Sequence, residues 1–133
     1  MTKITLTILG EAASKANSRQ IVTIKNRPAS IKSKKARDYE ANALRQIPPA
    51  ARLSLEGRVR ISIWIYYCSE RPDLDESIIL DVLQDQYHGK GENRTVIQKG
   101  VYKNDRQVRE KFIYHGIDKK NPRADIIVET LEQ

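Results

Sequence analysis

The fold of this chain is organised around one short stretch of sequence, Arg71-Pro72-Asp73-Leu74-Asp75-Glu76. The stretch follows the most strand-like segment of the chain and precedes a strongly apolar helical segment. Asp73 and Asp75 are two residues apart, so in extended backbone their side chains lie on the same face. A pair of carboxylates placed in this way can bind a hard divalent cation through its oxygen atoms.

The same acidic stretch has a second interpretation, as a helix cap. Asp73-Leu74-Asp75-Glu76 fits a capping box, with aspartate as the N-cap residue and glutamate three residues later. The helix dipole also favours acidic residues in a first helical turn. The two interpretations are compatible, because the start of a helix can hold carboxylates in place while a cation binds between them.

Two regular elements flank the stretch. Residues 58–68 alternate between aliphatic side chains and a mixed face of arginines and aromatic rings, a pattern that predicts a strand. The mixed face could stack on nucleic-acid bases, but the second face of a long central strand is more often covered by a helix. Residues 74–84 place leucine, isoleucine and valine at helical spacing, which predicts a buried helix.

The other segments predict a sheet and one more helix. Ser33 is the expected N-cap of a helix that runs to about Ile47, where Pro48 and Pro49 end it. A polar, glycine-containing loop is expected at 85–94 and a break at 26–30. Further strands are predicted at 3–9, 20–24, 95–103 with a break at Gly100, 107–114 and 124–130. We therefore expect an α+β fold, in which residues 1–133 form a single domain with a mixed β-sheet packed against two main helices.

The composition is typical of a charge-rich globular protein. The chain has 133 residues, of which 39% are hydrophobic and 31% are charged. Its single cysteine, Cys68, excludes an internal disulfide and is typical of a reducing compartment. No apolar run reaches the ~18 residues that span a bilayer, and the first residues lack the apolar segment of a signal peptide. We therefore expect a cytoplasmic protein that has no membrane partner.

Basic residues are clustered as well as numerous. Lysine and arginine outnumber the acidic residues by 24 to 17 and give a formal net charge of +7. This charge alone fits a merely basic protein as well as one that binds a polyanion. The clustering favours the polyanion, because many phosphate contacts need concentrated charge. Six of the basic residues fall in one short window: Lys25, Arg27, Lys32, Lys34, Lys35 and Arg37.

A third acidic residue stands in a second distinctive block. Asp105 belongs to the sequence VYKNDRQV at 101–108, at the turn between two predicted strands. Taken alone, an aspartate after asparagine is an ordinary turn residue. Taken with Asp73 and Asp75, it could complete a set of three oxygen ligands.

The two blocks together resemble the RusA family of Holliday junction resolvases. That family combines an Asp-x-Asp at a strand-to-helix junction with a later aspartate that precedes one residue and Gln-Val, as Asp105 does here. The N-terminal half is similar to the family more weakly, through Gly10, Ser14, Lys15, Arg19 and the helix from Ser33. The resemblance spans most of the chain, and its specificity rests on the two blocks.

The resemblance implies a function and a set of functional residues. Asp73, Asp75 and Asp105 match the three catalytic aspartates, which bind Mg²⁺ or, in its place, Mn²⁺. The protein would be a homodimeric endonuclease that resolves four-way junctions and other branched DNA by phosphodiester hydrolysis, without a small-molecule cofactor. The basic residues that we expect to contact this DNA are Lys15, Arg19, Lys32, Lys34, Lys35, Arg71 and Lys103.

The chain departs from the family pattern at three points. Glu76 stands where the family usually has asparagine, and it could add a metal ligand. The family's catalytic lysine is missing, because the alignment places Ile79 or Ser77 there. The connection at 85–99 is also longer than in the family. A lysine of this connection, Lys99 or Lys103 could supply the missing positive charge.

Three functions therefore stay open. The first is the metal-dependent resolvase. The second is a protein that binds junctions or other nucleic acid but cleaves weakly, because the family lysine is absent. The third is a nucleic-acid-binding module whose acidic residues only cap a helix. A zinc site is not expected, since His88 and His115 lack partners at metal-ligand spacing.

Overall fold

The computed structural model describes residues 2–14, 19–89 and 91–131. As predicted, the fold is α+β, with two helices and a mixed sheet. The strands are β1 Lys3–Leu9, β2 Arg19–Ile24, β3 Arg27–Lys32, β4 Val59–Tyr67, β5 Gln86–His88, β6 Thr95–Gln98, β7 Val108–Ile117 and β8 Arg123–Thr130. The α-helices are α1 Lys34–Gln46 and α2 Ser77–Leu83, and short 3₁₀ turns cover Pro49–Ala51, Gly91–Asn93 and Asp105–Gln107.

The main sheet has four strands in the order β1-β8-β4-β7. Strand β8 pairs antiparallel with both β1 and β4, whereas β7 runs parallel to β4 along the other edge. The sheet is therefore mixed. Strand β4 is an interior strand, and the stretch at 71–76 begins soon after its end.

One face of the main sheet carries the hydrophobic core. The aliphatic residues of β4 are fully buried, as the alternation predicted, and they join the buried residues of β1, β8 and both helices in one cluster. The cluster includes Ile61, Ile63, Ile126, Ile79 and Ala43. Burial of this kind stabilises a fold by about 1.5–3 kcal/mol for each large aliphatic side chain.

The opposite face, here called the outer face, remains open. A covering helix was expected, and this prediction is wrong for the part of the chain that the structure describes, because both helices pack into the core on the inner side. Instead the outer residues contact one another. Trp64 stacks on Tyr114 with ring centroids 5.1 Å apart, and Arg60 forms an ion pair with Glu110 at 3.0 Å. Phe112 stays 45% exposed.

Helix α1 forms as the sequence predicted. The Oγ of Ser33 accepts a hydrogen bond from the backbone N–H of Ala36 at 3.2 Å, which makes Ser33 the N-cap. Ile47 follows the last helical residue in extended conformation, as expected for a residue before proline. Neither α-helix of the described residues is long and apolar enough to cross a membrane.

Helix α2 begins three residues later than predicted. Leu74 lies outside the helix with 41% of its surface exposed, and Glu76 is the N-cap residue without a side-chain capping bond. The predicted capping box with Asp73 as N-cap is therefore wrong. The carboxylate of Asp75 instead accepts the N–H of Ser77, the first residue of the helix.

Two β-hairpins each contain one strand in a segment that was predicted as irregular. The expected break at 26–30 lies mostly in β3, which pairs with β2 across a turn where Lys25 and Asn26 both have positive φ. The expected loop at 85–94 contains β5, which pairs antiparallel with β6. The polar sequences of β3 and β5 did not predict strands. Each hairpin lies outside the main sheet and has largely exposed side chains, so these strands lack the alternation of apolar residues that indicates one.

The segment after β6 packs against the end of α2. A strand was predicted to continue to residue 103, but β6 ends at Gln98. Gly100 lies so close to the backbone carbonyl of Leu83 that no Cβ would fit there. The buried Asp85 lies just after the end of α2. Its carboxylate accepts the N–H of Gly100 at 2.8 Å and the hydroxyl of Ser54. Asp85 therefore anchors this connection.

Two buried tyrosines allow a matched test of the core. The Tyr102 hydroxyl donates to the carbonyl of Leu80 at 2.8 Å, whereas the Tyr39 hydroxyl has no hydrogen-bond partner among the described residues. Tyr102→Phe should therefore lower the free energy of unfolding by about 1 kcal/mol. Tyr39→Phe should leave it unchanged or raise it by up to about 1 kcal/mol, because it removes a buried polar group that lacks a partner. Urea denaturation of both variants would measure the difference, and equal destabilisation would contradict it.

Candidate functional site

One buried hydroxyl fixes the backbone of the Asp73–Asp75 stretch. Tyr67, the last residue of β4, is 1% exposed. Its hydroxyl donates to the carbonyl oxygen of Asp73 at 3.1 Å and accepts the N–H of Asp75 at 3.2 Å. The ring also stacks on His115 of β7, with centroids 5.4 Å apart. The two hydrogen bonds explain why α2 starts late, since they engage backbone groups on both sides of Leu74.

The carboxylate of Asp75 is held at the start of α2. Its Oδ1 accepts the N–H of Ser77 at 2.9 Å, and its Oδ2 accepts the hydroxyl of Ser14 at 3.0 Å. Asp73 is exposed two residues earlier. The two aspartates thus lie two residues apart between the end of β4 and the start of α2.

Other acidic side chains surround Tyr67. Burial raises the pKa of the Tyr67 hydroxyl above its ordinary value, the hydrogen bond from the Asp75 amide opposes this, and the negative charges of Asp75, Glu11 and Glu76 raise the pKa further. Tyr67 therefore stays neutral near neutral pH and can serve as both donor and acceptor. Glu11, Asp75 and Glu76 together form what we call the acidic cluster.

Lysines balance two members of the acidic cluster. The Nζ of Lys35 lies 3.7 Å from a carboxylate oxygen of Glu11, and the Nζ of Lys111 lies 3.5 Å from one of Glu76. Glu11 also accepts the backbone N–H of Cys68 at 2.7 Å. Lys35 was predicted as a DNA contact, whereas no pattern in the sequence pointed to Lys111. Its position depends on the pairing of β7 with β4, which local patterns do not specify.

A cavity of about 350 Å³ opens beside Asp73. Two of the basic residues predicted to contact DNA, Lys35 and Arg71, line it together with the aspartate. We call this space the Asp73 cavity. Its lining residues are Ala12, Ser14, Ser33, Lys35, Arg71, Pro72 and Asp73.

Asp105 lies at the opposite end of α2 from Asp75. Its backbone N–H donates to the side chain of Gln84, just after the last helical residue, at 3.1 Å. A helix of seven residues is about 10 Å long. Burial raises the pKa of Tyr102 above its ordinary value, and the charges of Asp105 and Asp81 raise it further. Asp81, which sequence reasoning did not single out, thus lies near the same ring as Asp105.

The residues present fit magnesium chemically. Among the described residues, no three or more His, Cys, Asp or Glu side chains form a group that could hold a metal ion, so Asp105 as the third ligand stays a prediction. Mg²⁺ is usually held by one or two carboxylates together with waters and substrate phosphates. Asp73 and Asp75 supply two such carboxylates, and the cations of the neighbouring cavity suit a phosphate.

The other basic residues predicted to bind DNA are more scattered. Lys34 is exposed and pairs with Asp38 at 3.7 Å. Lys103 is hydrogen-bonded to Glu56 at 2.6 Å, which raises the pKa of the lysine and lowers that of the glutamate. Lys99 and Lys103 line a different cavity, which also contains Asp85. Lys15 lies outside the described residues, and for Arg19 and Lys32 only the backbone is described.

Tyr67→Phe tests the hydroxyl that holds this site. The substitution keeps the ring but leaves the carbonyl of Asp73 and the N–H of Asp75 without their partner. We expect the free energy of unfolding to fall by about 1–3 kcal/mol, measured by urea denaturation. The amide NMR signals of residues 73–77 should shift more than those of β1. A variant that matches the wild type in both measurements would show that the hydroxyl does not position the stretch.

Comparison with known proteins gives no family for this chain. No model of a protein family matches it, and no curated protein matches it either. Membership of the RusA family therefore remains a proposal that depends on the two blocks around Asp73–Asp75 and Asp105.

Proposed function

We propose that this protein is a Mg²⁺-dependent, RusA-like endonuclease of the cytoplasm that cleaves four-way junctions and other branched DNA as a homodimer. The observation that carries the proposal is the pair Asp73 and Asp75, held at a strand-to-helix junction beside a cavity lined by Lys35 and Arg71. Oxygen ligands for a hard cation and cations for a phosphate are thus adjacent. These are the two requirements of metal-assisted phosphodiester hydrolysis.

The proposed metal site consists of Asp73 and Asp75, with Asp105 as the expected third ligand. A bound Mg²⁺ would neutralise charge on the phosphodiester and lower the pKa of a water molecule for attack on phosphorus. The net charge of +7 favours attraction of the DNA backbone as a whole.

The protein side chains contribute position and charge. Asp75 is fixed by the N–H of Ser77 and the hydroxyl of Ser14, so little ordering is required when a cation binds. Arg71 and Lys35 supply charge-assisted hydrogen bonds to phosphate oxygens. The buried ring of Tyr67 supports the stretch from the core side.

Lys111 is the best candidate for the positive charge that the family places on the helix. It lies on β7 and its ammonium group pairs with Glu76, the residue after Asp75. Glu76 is only 18% exposed at its side chain, so the ion pair holds Lys111 close to the acidic cluster. Lys99 and Lys103 are weaker candidates, because both line another cavity and Lys103 is bound to Glu56.

Asp75→Asn tests the proposed enzyme directly. The amide is a poorer metal ligand, so nicking of a labelled four-way junction in Mg²⁺ should fall by at least about a hundredfold. Binding to the junction in EDTA should be retained, because the substitution removes a negative charge near phosphate. Asp38→Asn, on the exposed face of α1, is the matched control and should cleave like the wild type.

The same assay separates the alternatives. Tight binding to the junction without nicking, in Mg²⁺ and in Mn²⁺, would contradict the enzyme and indicate a junction-binding protein. Equal binding to linear duplex and to the junction would indicate a general nucleic-acid-binding module. Nicking that persists in Asp75→Asn would show that the reaction takes place at another site.

Lys111→Ala tests the lysine. We expect about a tenfold or greater loss of the cleavage rate at saturating Mg²⁺, with substantial recovery in Lys111→Arg, because arginine restores the charge. Lys103→Ala is the comparison variant, and its cleavage rate should fall less than that of Lys111→Ala. A Lys111→Ala enzyme that cleaves at the wild-type rate would exclude Lys111 from the reaction.

A further inference from the structure

We infer that the Asp73 cavity is a subsite for one unstacked nucleotide next to the phosphate that is cleaved. The inference rests on the proposed function and adds to it a reason why branched DNA would be preferred. Small-molecule sites in proteins occupy about 300–1,000 Å³. At about 350 Å³ the Asp73 cavity is at the small end of this range, which suits a mononucleotide.

Three separate segments of the chain build the cavity. Ala12 and Ser14 come from the segment after β1, Ser33 and Lys35 from the start of α1, and residues 71–73 from the segment after β4. Hydrogen bonds and an ion pair connect these walls. Ser14 donates to Asp75, and Lys35 pairs with Glu11, which in turn accepts the N–H of Cys68. These contacts connect the segments that line the cavity, so the cavity is a fixed feature of the fold.

The lining has the chemistry that a nucleotide requires. Arg71 is exposed, and its guanidinium makes no ion pair with any described residue, so it can bind a phosphate through two parallel hydrogen bonds. Lys35 can add a second positive charge. The hydroxyl of Ser33 accepts the N–H of Ala36 and can donate its own hydrogen to a polar atom of the sugar or base. Ala12 and Pro72 offer apolar surface to the ring of the base.

The position of Asp73 sets the orientation. Because Asp73 is both a cavity wall and a proposed metal ligand, a phosphate between Arg71 and Asp73 would lie at the edge of the metal site. The attached sugar and base would then occupy the interior of the cavity. The nucleotide would therefore be a direct neighbour of the scissile bond.

This arrangement gives a physical basis for selecting branched DNA. A base inside a continuous duplex must unstack and unpair before it can enter such a cavity, which costs a few kcal/mol, and the cost is least for a base that is already unpaired. Bases at the crossover of a junction, or in a bulge, are therefore the favoured occupants. The protein would therefore prefer branched DNA to continuous duplex without recognising the base sequence.

Titration of the full-length protein with thymidine 5′-monophosphate in EDTA, followed by NMR, tests the subsite. We expect saturable binding, with the largest amide shifts at 12–14, 33–35, Arg71 and Asp73, since Pro72 has no N–H. Arg71→Ala should weaken the binding by about tenfold or more, and Lys35→Ala by a smaller factor. Arg45→Ala is the matched control, since this arginine lies at the other end of α1, about 15 Å away, and should bind like the wild type.

Two further ligands separate a nucleotide site from a simple phosphate site. Inorganic phosphate and thymidine should each bind at least about tenfold more weakly than the nucleotide. Phosphate lacks the sugar and base, and thymidine lacks the phosphate, so each contacts only some of the lining residues. The inference is overturned if phosphate binds as tightly as the nucleotide, if no saturation occurs, or if Arg71→Ala and Arg45→Ala bind alike. None of these measurements depends on cleavage, so the subsite and the proposed nuclease can fail separately.

Discussion

The structure around the site depends on the two hydrogen bonds of the Tyr67 hydroxyl. A single rigid side chain at the end of an interior strand donates to one backbone group of the acidic stretch and accepts from another. This constraint delays the start of α2 and leaves the carboxylate of Asp75 to receive the first amide of that helix. The backbone of both aspartates is therefore positioned by the core of the protein, although Asp73 is exposed and Asp75 is partly exposed.

Charge at the site is balanced locally. Glu11 and Glu76 each meet a lysine from a different element, α1 in one case and β7 in the other. The acidic cluster thus joins the helical layer to the edge of the sheet. In both pairs the lysine is well exposed to solvent, so the ion pairs add little stability. Their main effect is to keep basic side chains close to the aspartates.

Local patterns in the sequence predicted the parts of the molecule that local chemistry determines. The alternation in β4, the Ser33 cap and the junction that carries Asp73 and Asp75 could all be derived from neighbouring residues. Contacts between residues far apart in the sequence could not be derived in this way. The placement of Lys111 depends on β7 running beside β4, and the late start of α2 depends on a tyrosine of the preceding strand. The open outer face was missed because one sequence does not show where a short helix will pack.

The two faces of the sheet give the aromatic residues of β4 different surroundings, and this affects what fluorescence can report. Trp64, the single tryptophan of the chain, is stacked on Tyr114 on the outer side of β4, while Tyr67, three residues later, points to the inner side. Tryptophan emission therefore reports on whatever covers the outer face and is insensitive to direct contact at the aspartates. A quencher that acts by direct contact with the indole must reach the outer face, so the loss of emission that it causes is no measure of occupancy at the aspartates.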